Sequence, residues 1–153
     1  MVELEVRSEP ADSQAAVRLL AAFAATIAGL YPGWNPTVGP SATPEDFSPP
    51  RGCFLVAYAD GRPVGCGGFK RLDGRAVEVK RLFVSEDARG AGVARVLLRE
   101  LEERARAADY AAVKLDTGKS QPEARALFTS GGYREIPDYN GNPYAAYWFE
   151  KRL

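Results

Sequence analysis

Histidine is absent from this chain of 153 residues, and only two cysteines occur. The missing histidine removes Ser-His and Cys-His nucleophile pairs, and most zinc sites, in one step. Net charge is absent too, since 20 Lys and Arg balance 20 Asp and Glu. That argues against a broad electrostatic footprint for nucleic acid or acidic lipid, while leaving room for a local basic patch. No apolar run reaches membrane-spanning length, and no charged-then-apolar segment opens the chain. The expectation is a cytoplasmic protein without nucleic-acid or membrane partners. Repeats and low-complexity tracts are also missing. What remains is ordinary globular composition, 46% hydrophobic and 26% charged. The length suits one domain, residues 1–153, with a sizeable core.

The cysteines, Cys53 and Cys66, fall on two expected strands, 53–59 and 63–71, joined by Asp60-Gly61. That dipeptide is a strong hairpin turn signal. A two-residue turn places Leu55 opposite Cys66 and makes Cys53 a diagonal neighbour, about 7–8 Å away between Cα atoms. This is at or beyond disulfide reach, so two reduced, packed thiols are expected.

Along the chain, Leu4-Glu5-Val6-Arg7 alternates as a first strand. Asp12 is a candidate N-cap for a helix to about Ala28, with Val17, Leu20, Phe23, Ala24 and Ile27 at helical spacing. Tyr31 to Gly52 then holds six prolines and three glycines. Long segments of this kind are usually functional or disordered. Thr43-Pro44-Glu45-Asp46 is a helix-start pattern inside it, with proline at the first helical position. The segment reads either as a substrate-covering loop or as a passive surface connection. Residues 75–84 form the next expected strand, with Val77, Val79, Arg81 and Phe83 on one face and Glu78, Lys80, Leu82 and Val84 on the other. A helix from 92 to about 108 turns Val93, Val96, Leu97 and Leu101 inward. A strand at 111–115, a helix at 123–130 and strands at 133–136 and 144–151 complete the order β α β β β α β α β β. The final strand either pairs across a homodimer or ends the sheet of a monomer.

The most informative stretch is Arg89-Gly90-Ala91-Gly92-Val93-Ala94. An apolar strand precedes it and an amphipathic helix follows. The first amides of a helix lack intrahelical partners and point out of its positive end. Two glycines let phosphates approach that backbone without meeting Cβ atoms. A Walker loop would need Lys and Ser/Thr after the last glycine, where Val93 and Ala94 stand. The dinucleotide fingerprint would need a small residue where Arg95 stands.

Arg-Gly-x-Gly-x-Ala resembles the acyl-CoA pyrophosphate loop of the GCN5-related N-acetyltransferases. Three further segments resemble the same family in its order: 78–84 as the central strand, Leu115-Asp116-Thr117-Gly118 as the next, and 121–133 as the helix and glycine turn after it. The resemblance implies an α/β (α+β) GNAT acyl-CoA N-acyltransferase fold, a mixed central sheet of six to seven strands flanked by about four helices. It implies acetyl-CoA as acyl donor, no metal, and an amine acceptor of small-molecule or amino-acid-like type. The pyrophosphate would rest on the amides of Gly90, Ala91, Gly92, Val93 and Ala94, with Arg89 beside it. Backbone groups of Leu82, Phe83 and Val84 would hold the pantetheine, and an N–H near Leu82 or Phe83 would face the oxyanion. Glu78 matches the position of a glutamate base in some members, with its pKa raised by apolar neighbours; the competing role is a structural pair with Lys80 or Arg81. Trp34 and Tyr139 are candidates to cover a cationic amine, or else to pin their loops. Asp138, Glu45 and Asp46 offer negative charge nearby. Phe128 stands where many members carry a tyrosine acid, with Tyr133 or Tyr139 as substitutes, and Ser120 or Gln121 stands where they carry an asparagine. A CoA-binding sensor without turnover, or an acetyltransferase acting on protein amines, are the other readings.

Overall fold

The computed structural model describes residues 3–153. Seven strands form one mixed sheet: β1 (Leu4–Ser8), β2 (Cys53–Ala59), β3 (Arg62–Arg71), β4 (Ala76–Val84), β5 (Ala112–Thr117), β6 (Arg134–Ile136) and β7 (Tyr147–Arg152). Three α-helices accompany it: α1 (Gln14–Leu30), α2 (Val93–Ala107) and α3 (Pro122–Ser130). The element order is the one read from the sequence. The fourth helix expected near Thr43 is a single 3-10 turn, Pro44–Phe47, tied at its start by reciprocal bonding between Thr43 and Asp46.

Strand order is β1-β2-β3-β4-β5-β7-β6. β7 lies inside the sheet, paired with β5 on one side and β6 on the other. The final strand is therefore interior and the short β6 ends the sheet, covering residues 148–150 of its outer side, which corrects the expectation that the final strand ends the sheet. All pairings are antiparallel except β4–β5. That parallel pairing covers only Ala76↔Ala112, Val77↔Val113 and Glu78↔Lys114. Beyond Glu78 the two strands part, and β4 runs on to Val84 without a partner on that side.

Two bulges reset the alternation of side chains. In β2–β3, Ala57 faces Gly65 while Tyr58 faces Pro63, so Val64 is extra. Cys66 consequently pairs with Val56 rather than Leu55. The shift moves it to the opposite face from Cys53: Cys53 packs in the core under α2, Cys66 in the core under α1. Both thiols are free and buried. Burial pushes Cys53 up to about 11 and Cys66 up to about 12, so both stay protonated.

The second bulge sits in β4. Cys66 pairs with Phe83 and Gly68 with Lys80, so Gly67 faces both Arg81 and Leu82. Arg81 takes the left-handed backbone, φ 60°. One extra residue exchanges the two faces downstream. Val77, Val79, Leu82 and Val84 all belong with the α2 cluster, and Phe83 joins the α1 cluster. The expected grouping of Phe83 with Val77 and Val79 is thereby overturned.

The N-cap of α1 is Ser13, not Asp12; its hydroxyl accepts from the Ala16 amide at 3.1 Å. Ala16 and Leu19 are the residues α1 buries fully, whereas Val17 is exposed. In α2 the buried stripe is Val93, Leu97, Leu98, Leu101, Glu102 and Ala105, with Val96 outside it. Phe47, from the 3-10 turn, is 2% exposed and meets Phe54 edge-on at 5.7 Å. No helix among the described residues is long and apolar enough to cross a membrane.

Candidate active site

One large cleft, about 1630 Å³, opens where β4 and β5 part. Its floor comes from both strands, and its walls come from α1, the segment after it, the first turn of α2 and the length of α3. The bulge decides what each side offers. On the α2 face the cleft carries Leu82, Val84 and the glycine turn, and on the α1 face Glu78 and Phe83.

At the turn, Gly90 and Gly92 both have positive φ, 86° and 79°. A Cβ at either would meet nothing within 4 Å, so that side is open. Gly92 is the N-cap of α2 and supplies no side-chain hydrogen bond, and the first turn of the helix has no acidic residue. Gly90, Gly92, Val93 and Ala94 line the cleft, and Ala91 is exposed in the turn. The result is a set of outward amides at a positive helix end, the arrangement that suits a phosphate. Arg89 lies at the same mouth. Its Nε donates to the Val84 carbonyl at 3.2 Å, which engages one backbone acceptor at the end of β4. Arg95, overlooked in the sequence except as an obstacle to a dinucleotide motif, also lines this end and donates to Ser130 Oγ at 2.7 Å.

Glu78 is 3% exposed. Its surroundings are polar, contrary to expectation: Oε2 accepts from the Tyr139 hydroxyl at 2.7 Å and from Asn140 Nδ2 at 3.0 Å, and Lys80 Nζ lies 3.5 Å from Oε1. The same Asn140 amide donates to Asp116 Oδ2 at 2.6 Å. Asn142 Nδ2 reaches Asp116 Oδ1 at 3.3 Å. Two carboxylates are thus held together by one amide, whose own oxygen is fixed by Trp148 Nε1 at 2.9 Å. Burial raises the Asp116 carboxyl above its ordinary value; the two asparagine amides and Lys80 oppose the rise, and the Glu78 charge adds to it. Asp116 was missed as a site residue. The available signal was its position: in a strand parallel to β4, Lys114 and Asp116 share a face with Glu78.

Tyr139, read from the sequence as a cover for a bound amine or a pin for its loop, does not line the cleft. Its hydroxyl is spent on Glu78, and burial, reinforced by that carboxylate, holds its pKa well above the usual phenol value. Trp34 does line the cleft. Of the nearby carboxylates, Asp138 accepts from the Asn140 and Gly141 amides and Asp46 from the Thr43 amide, so both serve their own loops.

The proline-rich segment divides in two. Residues 31–42 wall the cleft, while Phe47 anchors the remainder in the core. The wall is strapped down at both ends. The Tyr31 hydroxyl donates to Gln121 Oε1 at 2.9 Å and accepts from the Ser120 amide at 3.3 Å. Gly118 permits that approach, since a Cβ there would stand 1.9 Å from the Tyr31 oxygen. At the far end, Arg81 Nη2 donates to the Ala42 carbonyl at 2.7 Å.

Phe128 is buried between Tyr133 and Phe149, at 5.9 and 5.8 Å between ring centroids. Tyr133 donates to Glu102 on the α2 side of the sheet and cannot replace an acid in the cleft. Among the described residues, Thr117 Oγ1 is the buried side-chain polar atom without a hydrogen-bond partner, and it lines this cleft. No group of three or more potential metal ligands occurs among the described residues.

A parted parallel strand pair with a glycine turn at its open end places the chain among acyltransferase-like folds. The family model for the acetyltransferase (GNAT) family matches residues 20–133, and the chain belongs to that family. An IAA acetyltransferase of Azospirillum brasilense is 42% identical over 83 residues, 54% of each chain. The chain thus spans about half the length of that relative. An uncharacterized N-acetyltransferase of Bacillus subtilis, YsnE, is 30% identical over 112 residues, 70% of this chain and 74% of the other. Among solved structures, the PaiA N-acetyltransferase of Thermoplasma acidophilum in complex with coenzyme A superposes with a TM-score of 0.75, at 17% identity and 99% coverage of both chains, a likeness of fold.

Proposed function

We propose that residues 1–153 act as one N-acetyltransferase domain that moves an acetyl group from acetyl-CoA to the primary amine of a small molecule, by direct attack in a ternary complex. The observation that carries this reading is the cleft itself: an open, uncapped glycine turn at one end, an unpaired β4 edge leading from it, and a buried carboxylate pair at the other end.

In this reading the amides of Gly90 to Ala94, with Arg89, bind the pyrophosphate. Each amide-to-phosphate bond contributes about 1.5–3 kcal/mol. The edge of Leu82, Phe83 and Val84 takes the pantetheine, and a backbone N–H near Leu82 or Phe83 stabilises the oxyanion. An alkylamine with a pKa near 10.4 is neutral in only about one molecule in 10³ at pH 7. Glu78, with Asp116 beside it, accepts the proton, directly or through a water. The amine nitrogen bonds to the thioester carbonyl carbon, the carbon–sulfur bond breaks, and the thiolate leaves and takes a proton. Phe128 has none to give. The Thr117 hydroxyl is the buried side-chain group left for a bond to the donor.

Phe128 also favours a second reading, a CoA-binding module without turnover. Thermal unfolding and thiol release separate the two. Acetyl-CoA at 100 times its dissociation constant adds about 2.7 kcal/mol to stability. No stabilisation at millimolar acetyl-CoA would sink both readings; stabilisation without thiol release on any amine leaves only the second.

A further inference from the structure

Resting on the acetyltransfer reading, we infer that the acceptor is an amino acid, an amine whose own carboxylate is received by the Arg81 guanidinium on the α1 side of the cleft. The other cations of this face already answer its acids. Lys70 and Lys114 stand in register with Glu78 on the neighbouring strands, and Lys80 Nζ lies 3.5 Å from Glu78 Oε1. Lys114 also meets Glu150 at 3.9 Å, and Lys70 donates to the Ser41 carbonyl at 3.4 Å. Arg81 is a further cation, and it lines the cleft. Among the described residues it makes no ion pair, and its one side-chain hydrogen bond is the 2.7 Å contact with the Ala42 carbonyl. Asp46 feels its charge but bonds the Thr43 amide instead. Burial lowers the Arg81 pKa from the ordinary arginine value. A desolvated guanidinium with unused donors is what a bound carboxylate relieves.

The backbone aims the side chain at this place. Glu78 and Lys80 face α1, so strict alternation would turn Arg81 toward α2. The bulge keeps it on the α1 side instead, at φ 60° and over the Phe47 ring at 5.1 Å. A left-handed backbone costs a residue with a Cβ about 1–2 kcal/mol. Bulges that re-aim a side chain collect beside active sites, where such strain serves a contact. The planar guanidinium meets a carboxylate with two parallel bonds. A phosphate would set a second negative charge beside Glu78 and Asp116, with Lys80 already engaged by Glu78. Arg89 and Arg95 stand at the glycine-turn end. The wall above Arg81 is uncharged: between Arg18 and Glu45 the sequence contains no charged residue, and Phe23, Ile27, Trp34 and Val38 line that side. An amino acid with an apolar side chain matches the carboxylate floor, the guanidinium and the wall together.

The test is steady-state thiol release from acetyl-CoA by the full chain, with L-phenylalanine and L-leucine set against their amides. Each pair shares one body and differs in the charge of the carboxyl group. The amide's amine is the weaker base, so proton removal alone favours the amide. The expected result is the reverse, a kcat/KM about 10–10²-fold higher for the acids, the range set by bonds to a charged group. Arg81→Gln, which keeps an N–H for the Ala42 carbonyl, should bring that ratio close to one through loss on the acids. Arg81→Lys should hold an intermediate ratio, because it keeps the charge and loses the planar fork. Either variant suffices if the other fails to fold. A slackened wall would slow acid and amide alike, so an unchanged ratio in the variants overturns the inference and leaves Arg81 as a strap. Amides preferred by the parent chain overturn it too, as does acetyl-CoA binding with no turnover of either acid. Failure to bind acetyl-CoA, read by thermal unfolding, removes the reading beneath it.

Discussion

Glu78 on β4 and Glu102 on α2 invite comparison because their first neighbours are nearly the same. Each is buried, at 3% and 5% exposure, and each accepts a tyrosine hydroxyl at 2.7 Å, from Tyr139 and Tyr133. Each has a lysine ammonium close by, Lys80 at 3.5 Å and Lys151 at 2.9 Å. The difference lies one bond further out. Lys151 also donates to the Gly131 carbonyl at the end of α3, so the Glu102 group ties α2, α3 and β7 into a closed knot. The Glu78 group opens instead onto Asp116 and the cleft. A buried carboxylate with good donors is therefore no sign of function by itself. A second carboxylate and an accessible side are what set Glu78 apart.

Activity should separate the two most widely. Glu78→Gln, which removes the proposed base, is expected to lower kcat/KM by about 10²–10⁴-fold. Glu102→Gln should leave it close to the parent value, measured with saturating acetyl-CoA and one acceptor amine. Comparable losses in both variants would break the distinction.

Stability should separate them the other way. Glu102→Gln keeps one oxygen where Tyr133 and Lys151 each need one, and about 2 kcal/mol of unfolding free energy is expected to go with the charge-assisted bond that is lost. Glu78→Gln keeps an oxygen for Tyr139 and removes a charge beside Asp116, so urea titration should show a smaller loss. Between the tyrosines, Tyr133→Phe should cost about 1 kcal/mol and leave turnover alone. Tyr139→Phe should slow turnover as well, because it frees one side of Glu78. Equal turnover in the two phenylalanine variants would mean that Tyr139 only pins its loop.

The sequence carried one half of this contrast and hid the other. The glycine turn and the order of elements were legible because each rests on local pattern: a dipeptide turn, a period, an Arg-Gly-x-Gly start; Glu78 was singled out by the resemblance of its strand to the family's. The partners of Glu78 were not, since Tyr139 and Asn140 lie 61 and 62 residues away. The bulge at Arg81 left no trace either. Residues on both faces of β4 are apolar past Arg81, so an extra residue does not disturb the visible pattern. Yet that bulge puts Leu82 and Val84 on the face of the glycine turn and Phe83 on the face of Glu78. Val17 misled for a related reason. The helical period was right, but the later half of its stripe walls a cleft, and the core takes Ala16 and Leu19 instead.

The smallest expected effect is also the one whose sign is most exacting. Burial holds the Asp116 carboxyl above its ordinary range in the folded chain, whereas the Arg75 and Ala76 amides, both at 2.8 Å, hold Asp73 below it. A raised group binds its proton more tightly when folded. Its contribution to stability is complete below the unfolded value, near 3.8, and is lost as pH rises through the folded one. A lowered group contributes above the unfolded value and loses that contribution as pH falls through the folded one. Asp116→Asn should therefore gain stability relative to the parent as pH rises above the unfolded value of 3.8, whatever constant offset its lost hydrogen bonds impose. Asp73→Asn should lose ground as pH rises toward that value from below. Opposite slopes in a plot of unfolding free energy difference against pH are the expected signature. Parallel slopes would mean that Asp116 is hydrated like a surface carboxylate, and the cleft floor would then hold one buried charge, Glu78, in place of a pair.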